Sequence, residues 1–392
     1  MKKNLFLAAI CISLITAPLT VHASSAAVAD FSVRLLQQNI EEDQNTLISP
    51  FSVLYALSMT ANGAKEDTLS QMEEILGMTV DEWNSYLSDY KNSLANEDSS
   101  PLTIANSIWF KKDDTLTIEL DFLQTNSDYY QAEIFEKELD DASLSEINDW
   151  VCKETNGMIE EILKEIPEDA VMYLINALAF DGKWDVPYDE NQIHENLFTS
   201  ENGTEQTAPF MYCTENAYFE DENAIGFLKY YDDEKYAFAA LLPNEDCSLK
   251  DYIASLNGDK INNFLHSVQS MEVQTGIPQF SVSDDIEMSA ALKALGMTDA
   301  FLPDKADFSG LGKSSNGNIY IGQVLHKTFL SLDAEGTEAA AATAVEMIEE
   351  CALVIEEEPK IVYLDRPFLY MIIDCEAEIP LFIGTVTSLE SN

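Results

Sequence analysis

Helical punctuation marks three segments of the chain, and strand-like apolar runs lie between and after them. "SPFSVLYALSMTANG" (49–63) has Ser49 as a natural N-cap, Pro50 at the first helical position and Gly63 at its end. "SLSEINDWVCKETNG" (143–157) closes in the same way at Gly157. "IEMSAALKALG" (286–296) places Met288, Leu292 and Leu295 on one face. The strand-like runs are 102–110, 170–180, 225–231, 236–243, 319–333, 368–374 and 380–386. Helices dominate the first third and strands the last. This pattern predicts an α+β fold with large, mostly antiparallel sheets. No internal repeat and no long linker divides the chain, so a single domain is expected.

One stretch fits neither template cleanly. "EGTEAAAATAV" (335–345) holds four consecutive alanines, which favour helix. Its flanks, however, have a period of two. Thr337, Ala339, Ala341, Thr343, Val345 and Met347 share one parity and carry no charge. Glu338, Glu346 and Glu350 fall on the other, with Ala340, Ala342, Ala344 and Ile348. That is the signature of a strand with one buried face. From 337 to 359 there are no strong caps or turn signals, and a long stretch without its own element inside a compact domain is often functional.

Composition narrows the function. Of 392 residues, 46% are hydrophobic, enough for a substantial core. The 70 acidic and 21 basic residues give a formal net charge of −49, which argues against nucleic acid, heparin-like polyanions and anionic membranes as partners. The N-terminus pairs Lys2 and Lys3 with an apolar run from Leu5 to Ile15 and ends in Val21-His22-Ala23. It reads as a secretory signal peptide over 1–23, leaving 24–392 as a secreted, extracellular chain. Five cysteines remain after it, too sparse and odd a set for a disulfide framework, and no spacing suggests a metal or other cofactor. "NGT" at 202–204 makes Asn202 a glycan acceptor candidate.

Catalytic motifs are missing: there is no GxSxG, HExxH, GxxxxGK[ST] or GxGxxG. His194 and His266 lie in polar surroundings, and His326 in "VLHKTF" reads as a structural hydrogen-bonding residue. The chain is not expected to be an enzyme.

Six segments, in order, resemble the serpin family. They are "NTLISPFSVLYALSMTANGAKEDTLSQM" (45–72), "INDWVCKETNGMI" (147–159), "INALAFDGKW" (175–184) and "ALGMTDAFLPDKADFSG" (294–310). "VLHKTFLSLDAEGTEAAAATAV" (324–345) and "RPFLYMII" with "PLFIGTV" (366–386) complete the series. The resemblance implies three β-sheets with eight or nine helices and an exposed reactive loop over about 337–359. Matched motif by motif, Ser49, Ser52, Asn148, Asn176 and His326 would form a polar cluster, the shutter, where the central strands of the main sheet part. Lys183 and Trp184 would sit at the top of that sheet, the breach. Glu335, Gly336 and Thr337, with Glu338, would be the hinge, and Ala339, Ala340, Ala341, Ala342 and Thr343 the part that inserts.

The family's spacing from Gly336 places the reactive bond between Glu350 and Cys351, with cleavage after Ile348, or between Cys351 and Ala352, as alternatives. No Lys or Arg lies between 335 and 359, so a trypsin-like pocket is a poor match. The implied partner is a serine protease held covalently by a monomeric inhibitor, elastase-like or subtilisin-like. Glu356, Glu357 and Glu358 suit a basic rim on that protease. The alternatives are a glutamate-specific protease, or a serpin-fold carrier or chaperone that does not inhibit. Cys351 beside the nominal bond is also a site where oxidation would block docking.

Overall fold

The computed structural model describes residues 17–41, 43–95, 100–232, 234–337 and 359–389, with side chains from Ser24 onward. Residues 1–16 of the expected signal peptide, hinge residues 338–343 and the candidate cleavage positions Ile348, Glu350, Cys351 and Ala352 lie outside them.

The chain opens with α1 (Ala17–Asn39), β1 (Thr46–Ile48), α2 (Pro50–Ala61), α3 (Glu66–Leu76) and α4 (Val80–Leu94). Next come β2 (Leu102–Lys111), β3 (Leu116–Ile118), α5 (Leu120–Tyr130), β4 (Glu133–Lys137) and α6 (Asp141–Glu154). β5 (Met172–Phe180) and β6 (Gly182–Lys183) follow, then β7 (Ile193–Thr199), β8 (Glu205–Glu220), β9 (Ala224–Tyr230) and β10 (Tyr236–Pro243). After α7 (Leu249–Ser255) and α8 (Gly258–His266) come β11 (Gln269–Pro278), β12 (Phe280–Glu287) and α9 (Ser289–Leu295). The last elements are β13 (Gly312–Ser314), β14 (Leu325–Leu332), β15 (Gly336–Thr337), β16 (Lys360–Tyr363), β17 (Phe368–Asp374) and β18 (Ile379–Val386).

The first helical segment forms where its caps predict: the Ser49 hydroxyl accepts from the Ser52 N–H, with Pro50 at the first position. The segment 286–296 is shorter as a helix than its periodicity suggests, because Ile286 and Glu287 complete the ladder of β12 with β14, opposite His326 and Leu325. The same ladder explains why β14 starts at Leu325 and not at 319: the partner strand runs out there. Backbone pairing overrides local pattern at both places.

Strands β1-β18-β17-β10-β9-β8-β11-β16 form one hydrogen-bonded path, with β7 on β8. The long β8 joins its two parts, pairing with β9 through Tyr218–Glu220 and with β7 and β11 further back. The remaining strands form the ladders β4-β2-β5, β12-β14-β15-β6 and β13-β3. β5 and β6 are separated by Asp181 alone, so the first two of these ladders are one surface.

That surface has two covered faces. In front, Ile175 and Ala177 of β5 pack with Ile147, Trp150 and Val151 of α6. Behind, Leu178 and Phe180 join the main core, with Val53 and Leu57 of α2. β14 alternates strictly, burying His326, Thr328, Leu330 and Leu332. The period of two thus puts Asn176 and His326 on the same, rear face.

Candidate functional site

β5 and β14 should be neighbours, yet among the described residues no ladder joins them. They meet through a third strand at one end. There Thr337 of β15 pairs with Leu332 on one side and with Gly182 on the other. Gly336 and Thr337, two of the residues expected to form the hinge, thus already lie inside the sheet.

This upper end is buried and tightly fitted. Asp333 builds the turn into it: its carboxylate accepts from the N–H groups of Glu335 (2.8 Å) and Gly336 (3.2 Å). Gly336 pairs with Lys183 so closely that a Cβ would stand 2.1 Å from the Gly182 carbonyl. Thr337 is buried, and its hydroxyl is 2.6 Å from the Tyr231 hydroxyl. Trp184 stacks on Tyr231 with centroids 4.5 Å apart and donates from its indole N–H to the Asp333 carbonyl (2.9 Å). Its backbone N–H donates to the Glu335 carbonyl (3.0 Å), and that of Tyr188 to Ala334 (2.9 Å). Lys229 is buried beneath these rings, 4.5 Å from the Tyr188 centroid and 5.3 Å from that of Trp184, with Glu215 as its counter-ion at 2.9 Å. A buried cation is tolerable here because the carboxylate and two ring faces replace water. Burial raises the Tyr231 and Tyr188 hydroxyls well above the usual phenol range, so both stay protonated.

The lower end is open. A cavity of about 640 Å³ separates β5 from β14, with Ser49, Ser52, Asn176 and His326 in its wall. The Ser49 N–H donates to Nε2 of His326 (3.0 Å), and the Ser49 hydroxyl donates to the Leu381 carbonyl (2.9 Å). His326 is therefore the Nδ1–H tautomer. Burial lowers its pKa to about 4, so it is neutral at neutral pH and accepts without competition from a second proton. Asn176 donates to the Asn106 side chain (2.8 Å), while its own carbonyl oxygen is buried without a protein partner. One residue pair away, the Thr328 hydroxyl donates to the Leu47 carbonyl (2.8 Å) and the Leu47 N–H donates to Asp284. Three side chains of the β12–β14 half thus grip the chain leading into α2.

The structure brings Ser49, Ser52, Asn176 and His326 to one cavity, and Lys183, Trp184, Glu335, Gly336 and Thr337 to one end of the sheet. Asn148 stands apart from the polar cluster. It lies on α6, in front of the sheet, where its side chain ties the backbone of Ile162 and Leu163 (2.8–3.0 Å), two residues that line the same cavity. Sequence reasoning missed Tyr231, Lys229, Glu215, Asp333, Asn106 and Thr328. A lone asparagine inside the apolar run 102–110 was a usable signal for Asn106. The others touch the site through residues distant in sequence and leave no local mark.

The model of the family described as serpin (serine protease inhibitor) matches residues 26–389. An uncharacterized serpin-like protein of Thermococcus kodakarensis is 30% identical, the match covering 91% of this chain and 84% of that protein. Among solved structures, the native state of the thermophilic serpin tengpin superposes with a TM-score of 0.86 at 48% identity, covering 93% of this chain and 94% of that one. Human thyroxine-binding globulin superposes with a TM-score of 0.83 at 25% identity, covering 94% and 99%. This chain belongs to the serpin family, whose members are mostly serine protease inhibitors rather than enzymes.

Proposed function

We propose that this chain is a secreted, inhibitory serpin: a serine protease cuts its loop near Glu350–Cys351, and the hinge then enters the gap between β5 and β14 before the acyl-enzyme is hydrolysed. The observation that carries this reading is the registration at the upper end. Thr337 stands opposite Leu332 and Gly182. Six residues along the loop is Thr343; six residues back along the two flanking strands are His326 and Asn176. Continued in register, Thr343 lands between the two shutter residues, on the rear face, with its hydroxyl beside the unpartnered Asn176 oxygen.

The same registration accounts for four alanines in a row. Ala339 and Ala341 fall on the rear face beside Leu330 and Thr328, which are buried. Ala340 and Ala342 fall on the front face, Ala342 beside Ala177, under α6. Both faces are roofed, so both parities must be small. Glu338 falls beside Ser331 and Asp181, above the roof. A strand of about ten residues gaining hydrogen bonds on both edges yields on the order of 10 kcal/mol or more at the usual net value per bond. That is comparable to the stability of a whole domain, so the uncut protein is a trapped state.

The test is a denaturing gel after mixing with elastase-like, subtilisin-like and glutamate-specific proteases. A band at the summed mass that survives denaturation supports trapping, and the mass of the released C-terminal peptide fixes the bond. Cleavage with no such band favours the second reading, a non-inhibitory carrier, for which the likeness to thyroxine-binding globulin is the supporting observation.

A further inference from the structure

The front of the gap carries a side-chain arrangement that neither the hinge nor the shutter uses. The connection from α6 to β5, residues 155–171, folds over the lower gap. Ile159, Ile162 and Leu163 are buried there against Val151, Ile175 and Ala177. Asn148 fixes its course through the backbone of Ile162 and Leu163. From this connection Lys164 reaches out to Asp285 of β12, with Nζ 2.8 Å from the carboxylate. Asp285 faces Lys327 of β14 across the ladder, and the same carboxylate oxygen is 3.4 Å from that Nζ. One carboxylate therefore joins two lysines, one from the covering connection and one from β14. Burial alone would raise its pKa, but the lysines hold it below the usual carboxylate range.

We infer that Lys164, Asp285 and Lys327 form an electrostatic latch that straps the 155–171 connection across the lower gap and sets how fast an arriving strand completes its entry. They are positioning residues for the reaction proposed above, and the inference rests on that reading. In the register given by Thr337, Ala342 arrives beside Lys327, on the face that the connection covers. The upper half of the loop segment can pair without disturbing the connection; the lower half has to pass beneath it. Lys164 is 72% exposed, so the pair adds little to equilibrium stability. Its weight falls on the step in which the connection lifts, where the contact is lost and nothing yet replaces it.

The experiment follows uptake of an acetylated peptide of sequence 337–349 by the intact protein, through native gels and tryptophan fluorescence, beside the rate of protease trapping. Lys164→Ala and Asp285→Asn should each speed uptake about two- to fivefold at low salt, with unchanged urea midpoints. Raising salt to about 0.5 M should speed the wild type toward the variants and leave the variants alone. Lys164→Arg should restore the wild-type rate. Wild-type rates in Lys164→Ala, an unaltered salt response, or no peptide uptake by any form each overturn the latch. A wild type that takes up peptide but traps no protease overturns the inhibitory reading alone, because the peptide rates still decide the latch.

Discussion

The two ends of one gap are built in opposite ways. At the top, Trp184, Tyr231, Gly182 and Gly336 close on each other, and Thr337 is already paired on both sides. Below, β5 and β14 part around a cavity whose wall includes a neutral histidine and an asparagine oxygen with no protein partner. On the proposed reading, the contrast would give insertion a direction. The upper end has met the entropic cost of the first pairing, so each later residue adds to an existing edge, as in any zipper whose nucleus is the costly step. On that reading the lower end would offer two strand edges that an arriving segment can pair with, which is the source of the gain proposed above.

Damage to the upper end should therefore cost most. Thr337→Arg places a charge where the wild-type side chain is buried against Tyr231. Expelling or burying that charge costs several kcal/mol, so the yield of denaturation-resistant protease complex should fall by more than about a hundredfold while plain cleavage continues. Unchanged complex yield on a gel would show that Thr337 need not remain in the sheet.

Acid should act on the lower end. The folded pKa of His326, lowered by burial to about 4, lies below its unfolded value near 6.5. Its contribution is present above about 6.5 and is lost as pH falls toward 4, on the order of 3 kcal/mol in all. Asp284, raised to about 6 mainly by burial, runs the other way: its contribution is largest below the ordinary carboxyl range and is lost as pH rises through about 6. Thermal melts between pH 7 and 4 should thus show a shallow fall in the wild type, a steeper fall in Asp284→Asn and a rise in His326→Gln. Parallel curves for all three contradict this assignment.

Gly336→Val tests the fit at the top more gently. With a Cβ directed at the Gly182 carbonyl, the β15 pairing should release, at about 1–3 kcal/mol in the urea midpoint, with a change in the emission of Trp184. The smallest effect belongs to the lower end: Thr343→Val should leave the intact protein unchanged and lower the stability of the cleaved form by about 1 kcal/mol, the value of one buried hydrogen bond. An equal loss in both forms would place Thr343 elsewhere.

Much of this was legible in the sequence, because much of it is local. Ser49 and Pro50 announce α2, alternation marks β5 and β14, and the charge-free parity of 337–345 marks a strand that needs a buried home. The parity left the alanines at 340 and 342 unexplained, since it called for one buried face. Their reason is the α6 roof, which is packed on the sheet by residues some two hundred positions earlier. For Asn148 the motif gave the element but not the partners: it ties Ile162 and Leu163 of the connection after α6, a contact that the chain order alone does not reveal. Lys229, buried beside Glu215, is the same lesson from the other side, since nothing in "IGFLKYY" reveals an inward-facing cation.

On the proposed reading, the gap between β5 and β14 stores the free energy that inhibition would use. Differential scanning calorimetry of the intact protein and of the same protein nicked within 346–352, with both fragments retained, decides this. Filling the gap should raise the melting temperature of the nicked form by about ten degrees or more, since a gain on the order of 10 kcal/mol shifts a chain this long by a little over one degree per kcal/mol. A nicked form that melts at or below the intact one would mean that the gap between β5 and β14 is not a place the hinge can fill.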